Sequence, residues 1–328
     1  MELLSTEWLG KPVWMWLTFL LVVIVLLVLD MGVLHKKPKD GKPAHIIGVK
    51  ESLITTAGYM ALASMFGVWI WFELGQQRAV EYYTGYVVEL SLAMDNVFVI
   101  AMILGFFKIP RGHQHRVLFW GILGVLLLRG IMIGVGAALV QSFHEVLYLF
   151  AAFLIFTGVK MLLNKEEEEA DLSANPVLKF LRKYARVTDK FHGTQFFVKL
   201  KDANTKRMAF YMTPLMVALI LVELADVLFA VDSVPAIFAI TTDPYIVFTS
   251  NIFAILGLRA LYFALSAMID RFAYLKYALA VLLIFIGGKM LVVDMLGLVE
   301  MGPLVSLCAT LGILAIGVIY SLYKTKKA

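Results

Sequence analysis

The chain has 328 residues, of which 61% are hydrophobic and 16% are charged, with a net charge of +5 and a mean hydropathy of +0.85. A soluble globular domain is about half apolar and about a quarter charged, so this much apolar surface needs lipid to cover it. The single cysteine, Cys308, excludes an intramolecular disulfide framework, and the positive charge fits basic cytoplasmic loops better than nucleic-acid binding.

Nine apolar segments are each long enough, at about 18 residues or more, to cross a membrane as a helix. The first runs into Asp30 and Lys36 without a small-residue cleavage site, so we interpret it as a retained anchor rather than a signal peptide. The sequence therefore predicts an all-α, polytopic membrane helix bundle of about nine spans. These spans lie near residues 13–34, 53–72, 83–107, 117–140, 146–163, 210–240, 245–269, 275–293 and 303–323.

Lysine and arginine residues cluster in alternate loops, and cytoplasmic loops carry such an excess. Basic clusters follow the first, third, fifth and seventh spans, and the chain ends with Lys324, Lys326 and Lys327. A topology with the N-terminus outside and the C-terminus in the cytoplasm places every basic loop on the cytoplasmic side. The agreement supports both the number of spans and their orientation.

The longest polar segment, residues 164–208, joins the fifth and sixth spans. It opens with an acidic run at 166–169, which we interpret as a solvated helix end. A short amphipathic helix is predicted over 176–184, and a hairpin is predicted from 195–201 and 206–211. Nothing in this segment has the composition of a catalytic domain.

Spans three to five recur as spans six to eight, since residues 154–162 match 283–291 at seven of nine positions. An offset of three spans is odd, so the two copies cross the membrane in opposite directions, as in inverted-repeat transporters. Charged residues take part in the match, which pairs Glu89 with Asp226, Asp95 with Asp232, and Arg129 with Arg259. The predicted regions are a two-span region at 1–80, repeat 1 at 81–164, a cytoplasmic loop at 165–208, repeat 2 at 209–296, and the last span with its basic tail at 297–328.

Five carboxylates are predicted at membrane depth, where each costs at least about 2.5 kcal/mol on insertion scales and where ionisable groups usually mark pathways. They are Glu89, Asp95, Glu223, Asp226 and Asp232. The alternative is internal ion pairing with Arg129, Arg259, Lys160 and Lys289. For these basic residues we favour that structural role, whereas for the acids we favour a transport pathway.

Glu89 and Asp95 are six residues apart and do not share a helix face, and Pro235 removes a helix hydrogen bond just after Asp232. We therefore expect spans three and six to be discontinuous helices whose acids meet at the bilayer centre. Glu223 and Asp226, three residues apart, share a face.

Asn96 and Ser233 add an amide and a hydroxyl beside these acids, and all six histidines fall in loops or near span ends. Oxygen-only ligands favour hard divalent cations such as Mn²⁺, Ca²⁺ and Mg²⁺. The chain has neither a nucleotide-binding loop nor a hydrolase motif. We therefore expect no enzymatic activity, no catalytic residues and no resident cofactor.

Two acidic motifs carry a family resemblance, residues 89–96 (ELSLAMDN) and 223–236 (ELADVLFAVDSVPA), together with the stretch 241–262. They resemble the signature motifs of the TerC family, most closely its Alx-type bacterial members, over nearly the whole chain. The resemblance implies a bacterial inner-membrane protein that exports Mn²⁺. It also implies metal-site roles for Glu89, Asp95, Asn96, Glu223, Asp226, Asp232 and Ser233.

Two functions follow as expectations. The leading one is a secondary transporter that moves Mn²⁺, as its substrate, from the cytoplasm to the exterior by alternating access. The alternative is a membrane scaffold that assists other membrane or secreted proteins, or tellurite resistance, with a protein partner docked on the loop 165–208. The expected partners are thus a divalent cation, the lipid bilayer and, in the alternative, a protein, without nucleic acid.

Overall fold

The computed structural model describes residues 6–34, 49–143, 145–163, 176–201, 207–265, 274–296 and 303–325. Most of these residues are helical, which confirms the all-α bundle. In chain order the elements are β1 (Glu7–Trp8), β2 (Lys11–Pro12), α1 (Val13–Leu34), α2 (Val49–Leu74), α3 (Gln76–Phe106), α4 (Arg111–Ser142), α5 (Val146–Leu163), α6 (Pro176–Tyr184), β3 (Phe197–Lys201), β4 (Met208–Met212), α7 (Pro214–Phe238), α8 (Pro244–Leu265), α9 (Leu275–Leu296) and α10 (Pro303–Thr325).

Eight helices of the described chain, α2 to α5 and α7 to α10, are long and apolar enough to cross a membrane. The first helix, α1, has a shorter apolar stretch, Val13–Leu29, and its Phe19 packs against the rings of Phe66 and Phe253. Large apolar side chains such as Leu228 and Ile316 are exposed on the outside of the bundle. Lipid covers such surfaces in a polytopic membrane protein, so the predicted architecture is confirmed.

The centre of the bundle is formed by α3 and α8, with α2 and α4 against α8 and α7 against both α3 and α4. Helix α8 is the most enclosed of the eight. Arg78 in the first turn of α3 contacts Thr241, just after α7, so α3 begins and α7 ends at one end of the bundle. At the other end, here called the hairpin end, α4, α7 and α9 begin and α5 finishes.

Two predictions about the long spans are wrong. The sixth span is predicted from residue 210, but β4 occupies Met208–Met212 and α7 begins only at Pro214, where the fixed φ of proline suits a first helical turn. Helices α3 and α7 are also continuous rather than broken. Pro235 lies in the last turn of α7, so the backbone hydrogen bond that it removes does not interrupt the span.

Helices α5 and α9, the last helices of the two predicted repeats, pack closely through glycine. A Cβ placed on Gly158 would lie 2.6 Å from the carbonyl oxygen of Ala280, and one placed on Gly287 would lie 2.6 Å from that of Ala151. The sequence repeat pairs Gly158 with Gly287 and Ala151 with Ala280, so the two contacts are reciprocal and the helices antiparallel. A two-fold axis in the membrane plane, as in an inverted repeat, would produce such a reciprocal contact. The inverted repeat itself stays a prediction.

The polar segment between α5 and α7 contains the helix and hairpin that the sequence predicts, now bounded as α6 and β3–β4. The strands are antiparallel, with Lys199 opposite Phe210 and Val198 opposite Tyr211. The acidic run at 166–169 lies outside the described residues. The hairpin is joined to α7 by Thr213, whose hydroxyl donates to the carbonyl oxygen of Gln195 at 2.7 Å.

Candidate functional site

A buried ion-pair cluster lies between α3, α4 and α7. Arg129, in the middle of α4, is 1% exposed, and its Nη1 lies 2.6 Å from Oε1 of Glu89 on α3. Its Nε and Nη2 donate to the two carboxylate oxygens of Asp226 on α7, at 3.1 Å and 3.2 Å. A guanidinium suits this fork-like recognition of a carboxylate. One arginine therefore binds a corresponding acid from each predicted repeat.

Two neutral side chains complete this cluster. Arg129 Nη1 also donates to Oγ of Ser233 at 2.7 Å, and Nδ2 of Asn96 donates to Oδ1 of Asp226 at 3.2 Å. The prediction that Arg129 pairs with a buried acid is thereby confirmed. The side chain of Arg259 lies outside the described residues, so its predicted pairing stays a prediction.

A cavity of about 370 Å³ adjoins the cluster. Helices α3, α5 and α7 supply most of its polar wall, on which Asp232 accepts a hydrogen bond from Oγ1 of Thr157 at 3.3 Å. Lys160 and Lys276 line the cavity near the last turn of α5 and the first turn of α9, so it extends from mid-bundle toward the hairpin end. Four residues of the predicted metal site line it, namely Glu89, Asn96, Asp232 and Ser233.

Two acceptor oxygens on residues of this wall have no hydrogen-bond partner within the described part of the chain. They are Oε2 of Glu89 and Oδ1 of Asn96, and both residues are buried. An unsatisfied buried acceptor costs about 1–3 kcal/mol. Both oxygens are enclosed by protein, and their residues border the cavity, so a small movement of these side chains would turn unpaired acceptors toward it.

The ion-pair cluster itself is acidic, since Glu89 and Asp226 bring two negative charges against the single positive charge of Arg129. The cavity wall beside it carries both signs, with Asp232 as a third carboxylate and with Lys160 and Lys276 as two further positive charges. The described side chains nevertheless include no group of three or more His, Cys, Asp or Glu residues arranged to hold a metal ion. The side chain of Asp95 lies outside the described residues, so its predicted approach to Asp232 stays a prediction.

Glu223 lies apart from this cavity. It is one turn before Asp226 on α7, and its carboxylate faces α4, where a Cβ on Gly124 would overlap it. The shared face with Asp226 is confirmed, since both side chains meet α4. Both carboxylate oxygens of Glu223 are buried without a hydrogen-bond partner among the described residues. Its predicted part in the metal site stays a prediction.

A second polar cluster, which the sequence analysis did not identify, lies at the end of the bundle opposite the hairpin. Lys11 Nζ is 2.9 Å from Oδ2 of Asp243, and Arg78 Nη1 is 2.7 Å from Oε2 of Glu81. The hydroxyl of Thr241 donates to Glu81 at 2.6 Å. This network joins the β1–β2 segment, the start of α3 and the turn between α7 and α8. The i, i+3 spacing of Arg78 and Glu81 was the visible signal in the sequence.

The chain resembles several known proteins. Residues 74–328 match the family model described as "Integral membrane protein TerC family". The chain is 44% identical over 319 residues to an uncharacterized membrane protein of Myxococcus xanthus, covering 97% of this chain and 95% of that one. It is 45% identical over 293 residues to the "Putative membrane-bound redox modulator Alx" of Escherichia coli (strain K12), covering 87% of each. No solved structure matches the chain.

Proposed function

Because the chain belongs to the TerC family of integral membrane proteins, we propose that it is a secondary transporter that exports a divalent metal cation through the cavity beside Arg129. One observation carries this proposal. Two residues that line the cavity, Glu89 and Asn96, each carry a buried acceptor oxygen, Oε2 and Oδ1, without a hydrogen-bond partner within the described chain. We propose that a cation in the cavity satisfies them when the surrounding side chains move aside.

The ligands that this wall offers are oxygen atoms. Glu89 and Asp232 supply carboxylates, Asn96 supplies an amide oxygen and Ser233 a hydroxyl. Such a set suits Mn²⁺, Mg²⁺ and Ca²⁺ better than Zn²⁺ or Cu⁺. Among the three, we propose Mn²⁺ as the substrate because of the resemblance to the Alx-type members of the family.

Arg129 balances part of the acidic charge when no metal is bound. Its contacts leave Oε2 of Glu89 without a hydrogen-bond partner, so we propose that a cation binds this oxygen while Oε1 keeps its ion pair with Arg129. Within the ion-pair cluster two carboxylates outnumber one guanidinium, which favours a cation, whereas the two lysines of the cavity wall oppose it. Lys160 and Lys276 line the cavity at helix ends, where long side chains can extend toward water.

Export by alternating access requires the two ends of the bundle to open in turn. The cavity extends toward the hairpin end, which carries the basic loops and is therefore the proposed cytoplasmic side. At the opposite end Asp243 pairs with Lys11 and lies 3.7 Å from Nε of Arg78, and Thr241 donates to Glu81, so the β1–β2 segment, α3 and the α7–α8 turn are joined. We propose that these contacts close the outer end while metal enters from the cytoplasm.

The name of the Alx relative refers to redox modulation. Dithiol chemistry within this chain would need two cysteines, and Cys308 is its single cysteine. The Myxococcus xanthus relative is named as a membrane protein, and we propose that this chain has no enzymatic activity. A scaffold role, with a protein partner at 165–208, stays the alternative.

Equilibrium binding tests the proposed site directly. Purified protein in detergent is titrated with Mn²⁺, and binding is followed by the loss of the free-ion electron paramagnetic resonance signal. Asp232→Asn is expected to weaken binding roughly tenfold or more, since it removes a negative charge from a low-dielectric site. Glu73→Gln, which removes an exposed acid at the end of α2, is the matched control and should bind like the unaltered protein.

Equal Mn²⁺ affinity in Asp232→Asn and the control would contradict the proposal. Glu223→Gln sharpens the result because Glu223 does not line the cavity. If only Asp232→Asn weakens binding, the site is the cavity. If Glu223→Gln alone weakens binding, the metal lies between α4 and α7 and the cavity assignment is wrong.

A further inference from the structure

The β3–β4 hairpin has one apolar and cationic face that points away from the bundle. On the inner face Val198 is buried, with Leu200 and Tyr211 half-buried. On the outer face Met208 is 66% and Phe210 64% exposed. Register places the outer residues side by side, Lys199 opposite Phe210 and Lys201 opposite Met208. The outer hairpin face is thus defined by Phe197, Lys199, Lys201, Met208 and Phe210.

Helix α6 adds an aromatic pair. Leu178 is buried and packs in the same apolar cluster as residues of α7, which fixes one side of the short helix to the bundle. On its other side Phe180 and Tyr184 are 60% and 67% exposed, with ring centroids 4.6 Å apart. Exposed aromatic residues therefore continue beyond the hairpin, and Lys183 lies over the ring of Tyr184.

Contacts with α4 place the hairpin at the level of the membrane surface. Arg116 donates to Oγ1 of Thr194 at 2.8 Å, and the exposed ring of Trp120 meets Phe196 edge to face. Helix α4 has 32 residues and is therefore about 48 Å long, which exceeds the roughly 30 Å hydrocarbon core. The start of α4 is its polar end, with the sequence RGHQHR over residues 111–116, so we place its first turns among the headgroups and Trp120 at the interfacial position that tryptophan favours.

We propose that the outer hairpin face lies on the headgroup layer of an anionic bilayer. Strand β3 carries two lysines and neither strand has an acidic residue, which complements lipid phosphates. The neighbouring phenylalanines and methionine enter the boundary with the acyl chains. The lipid-exposed Trp120 next to Phe196 makes the surface continuous with the lipid-facing side of α4. A bilayer occupies that position already, whereas a protein partner would have to displace it.

The outer hairpin face is connected to the proposed metal site through α7, but the lipid proposal does not depend on metal transport. Because Thr213 joins the hairpin to the first turn of α7, headgroup contacts would hold the hairpin-end terminus of the helix that carries Asp226 and Asp232. Loss of lipid contact and loss of metal binding can therefore be measured separately.

Site-directed labelling tests this surface on the full chain. Cys308→Ser removes the native thiol, Phe210→Cys introduces the only remaining one, and an environment-sensitive fluorophore is attached to it. The protein is reconstituted in vesicles of phosphatidylcholine alone or mixed with phosphatidylglycerol, each with lipid spin-labelled near the headgroup. A label at Phe156→Cys, on the exposed side of α5 in mid-span, controls for insertion with a spin label deep in the acyl chain.

The proposal predicts that the label at 210 is quenched, that quenching increases with phosphatidylglycerol, and that Lys199→Gln with Lys201→Gln removes the increase. If the headgroup spin label does not quench the label at 210, while the deep spin label quenches the label at 156 in vesicles of the same composition, the proposal is overturned and the face is left to water or to a protein. Equal quenching with and without phosphatidylglycerol would overturn the anionic specificity.

Discussion

Arg129 determines the electrostatics at the centre of this bundle. A charge at membrane depth is stable when it is paired and hydrogen-bonded, and Arg129 meets Glu89, Asp226 and Ser233 with its guanidinium nitrogens. The pairing leaves two carboxylates against one guanidinium and holds three helices together. In the proposed function, the oxygens of Glu89 and Asp226 that pair with Arg129 have the structural role, and the unpaired Oε2 of Glu89 binds the metal.

Replacing Arg129 by alanine should lower the amount of folded protein, because Glu89 and Asp226 lose their counter-ion. Breaking a buried pair costs about 3–5 kcal/mol, which fluorescence-detected size exclusion after heating would register as a marked loss of the folded peak. The double variant Arg129→Ala with Glu89→Gln should recover part of it, since one unpaired carboxylate is removed. Normal accumulation of Arg129→Ala would contradict the structural role of the pair.

At the residue scale, the sequence predicts the acids and the role of Arg129 because charges that repeat within apolar segments are conspicuous. It does not predict that Arg129 pairs with both Glu89 and Asp226, one acid from each repeat, because this pairing depends on how α3, α4 and α7 pack. The packing of Glu223 against Gly124 of α4 depends on residues far apart in the chain. The ion pair of Lys11 with Asp243 does so too.

At the scale of elements, buried acids are accommodated by side chains of neighbouring helices. The expectation that α3 and α7 are broken rests on the spacing of acids along a single helix. That spacing cannot show that a hydrogen-bond donor on another helix, Arg129 of α4, pairs with these acids. Once Arg129 and Asn96 supply the donors, an unbroken helix keeps all its own backbone hydrogen bonds. The positions of α6 and the hairpin were predictable because local turn and periodicity signals define them.

The α5–α9 contact supports a prediction with a built-in control. Gly287→Ala would place a Cβ 2.6 Å from the Ala151 carbonyl oxygen, whereas a Cβ at the adjacent Gly288 meets nothing within 4 Å. Gly287→Ala should therefore lower the thermal midpoint of the purified protein, because α5 and α9 must separate. Gly288→Ala should leave it unchanged or raise it, since alanine favours helix. Equal midpoints for the two variants would show that the helices do not pack this closely.

At the scale of the whole molecule, orientation is predicted from the distribution of basic residues. Reporter fusions after residue 190 and after residue 328 should both report the cytoplasm of a bacterial host, with the N-terminus outside the inner membrane. A fusion after residue 143, between α4 and α5, should report the periplasm and serves as the control. A periplasmic signal at 190 or 328 would remove the basis for the inverted repeat.

The central claim is that the cavity carries a divalent cation across the membrane. Liposomes that contain only this protein, with a Mn²⁺-quenched dye inside, should lose fluorescence when Mn²⁺ is added outside, and Ca²⁺ and Mg²⁺ can compete in the same assay. Asp95→Asn and Asp232→Asn should each abolish the flux while inserting as well as the Glu73→Gln control, because each removes a negative charge at nearly constant volume. Flux at the unaltered rate in both variants would show that these acids are not the metal site, and the scaffold alternative would then be favoured.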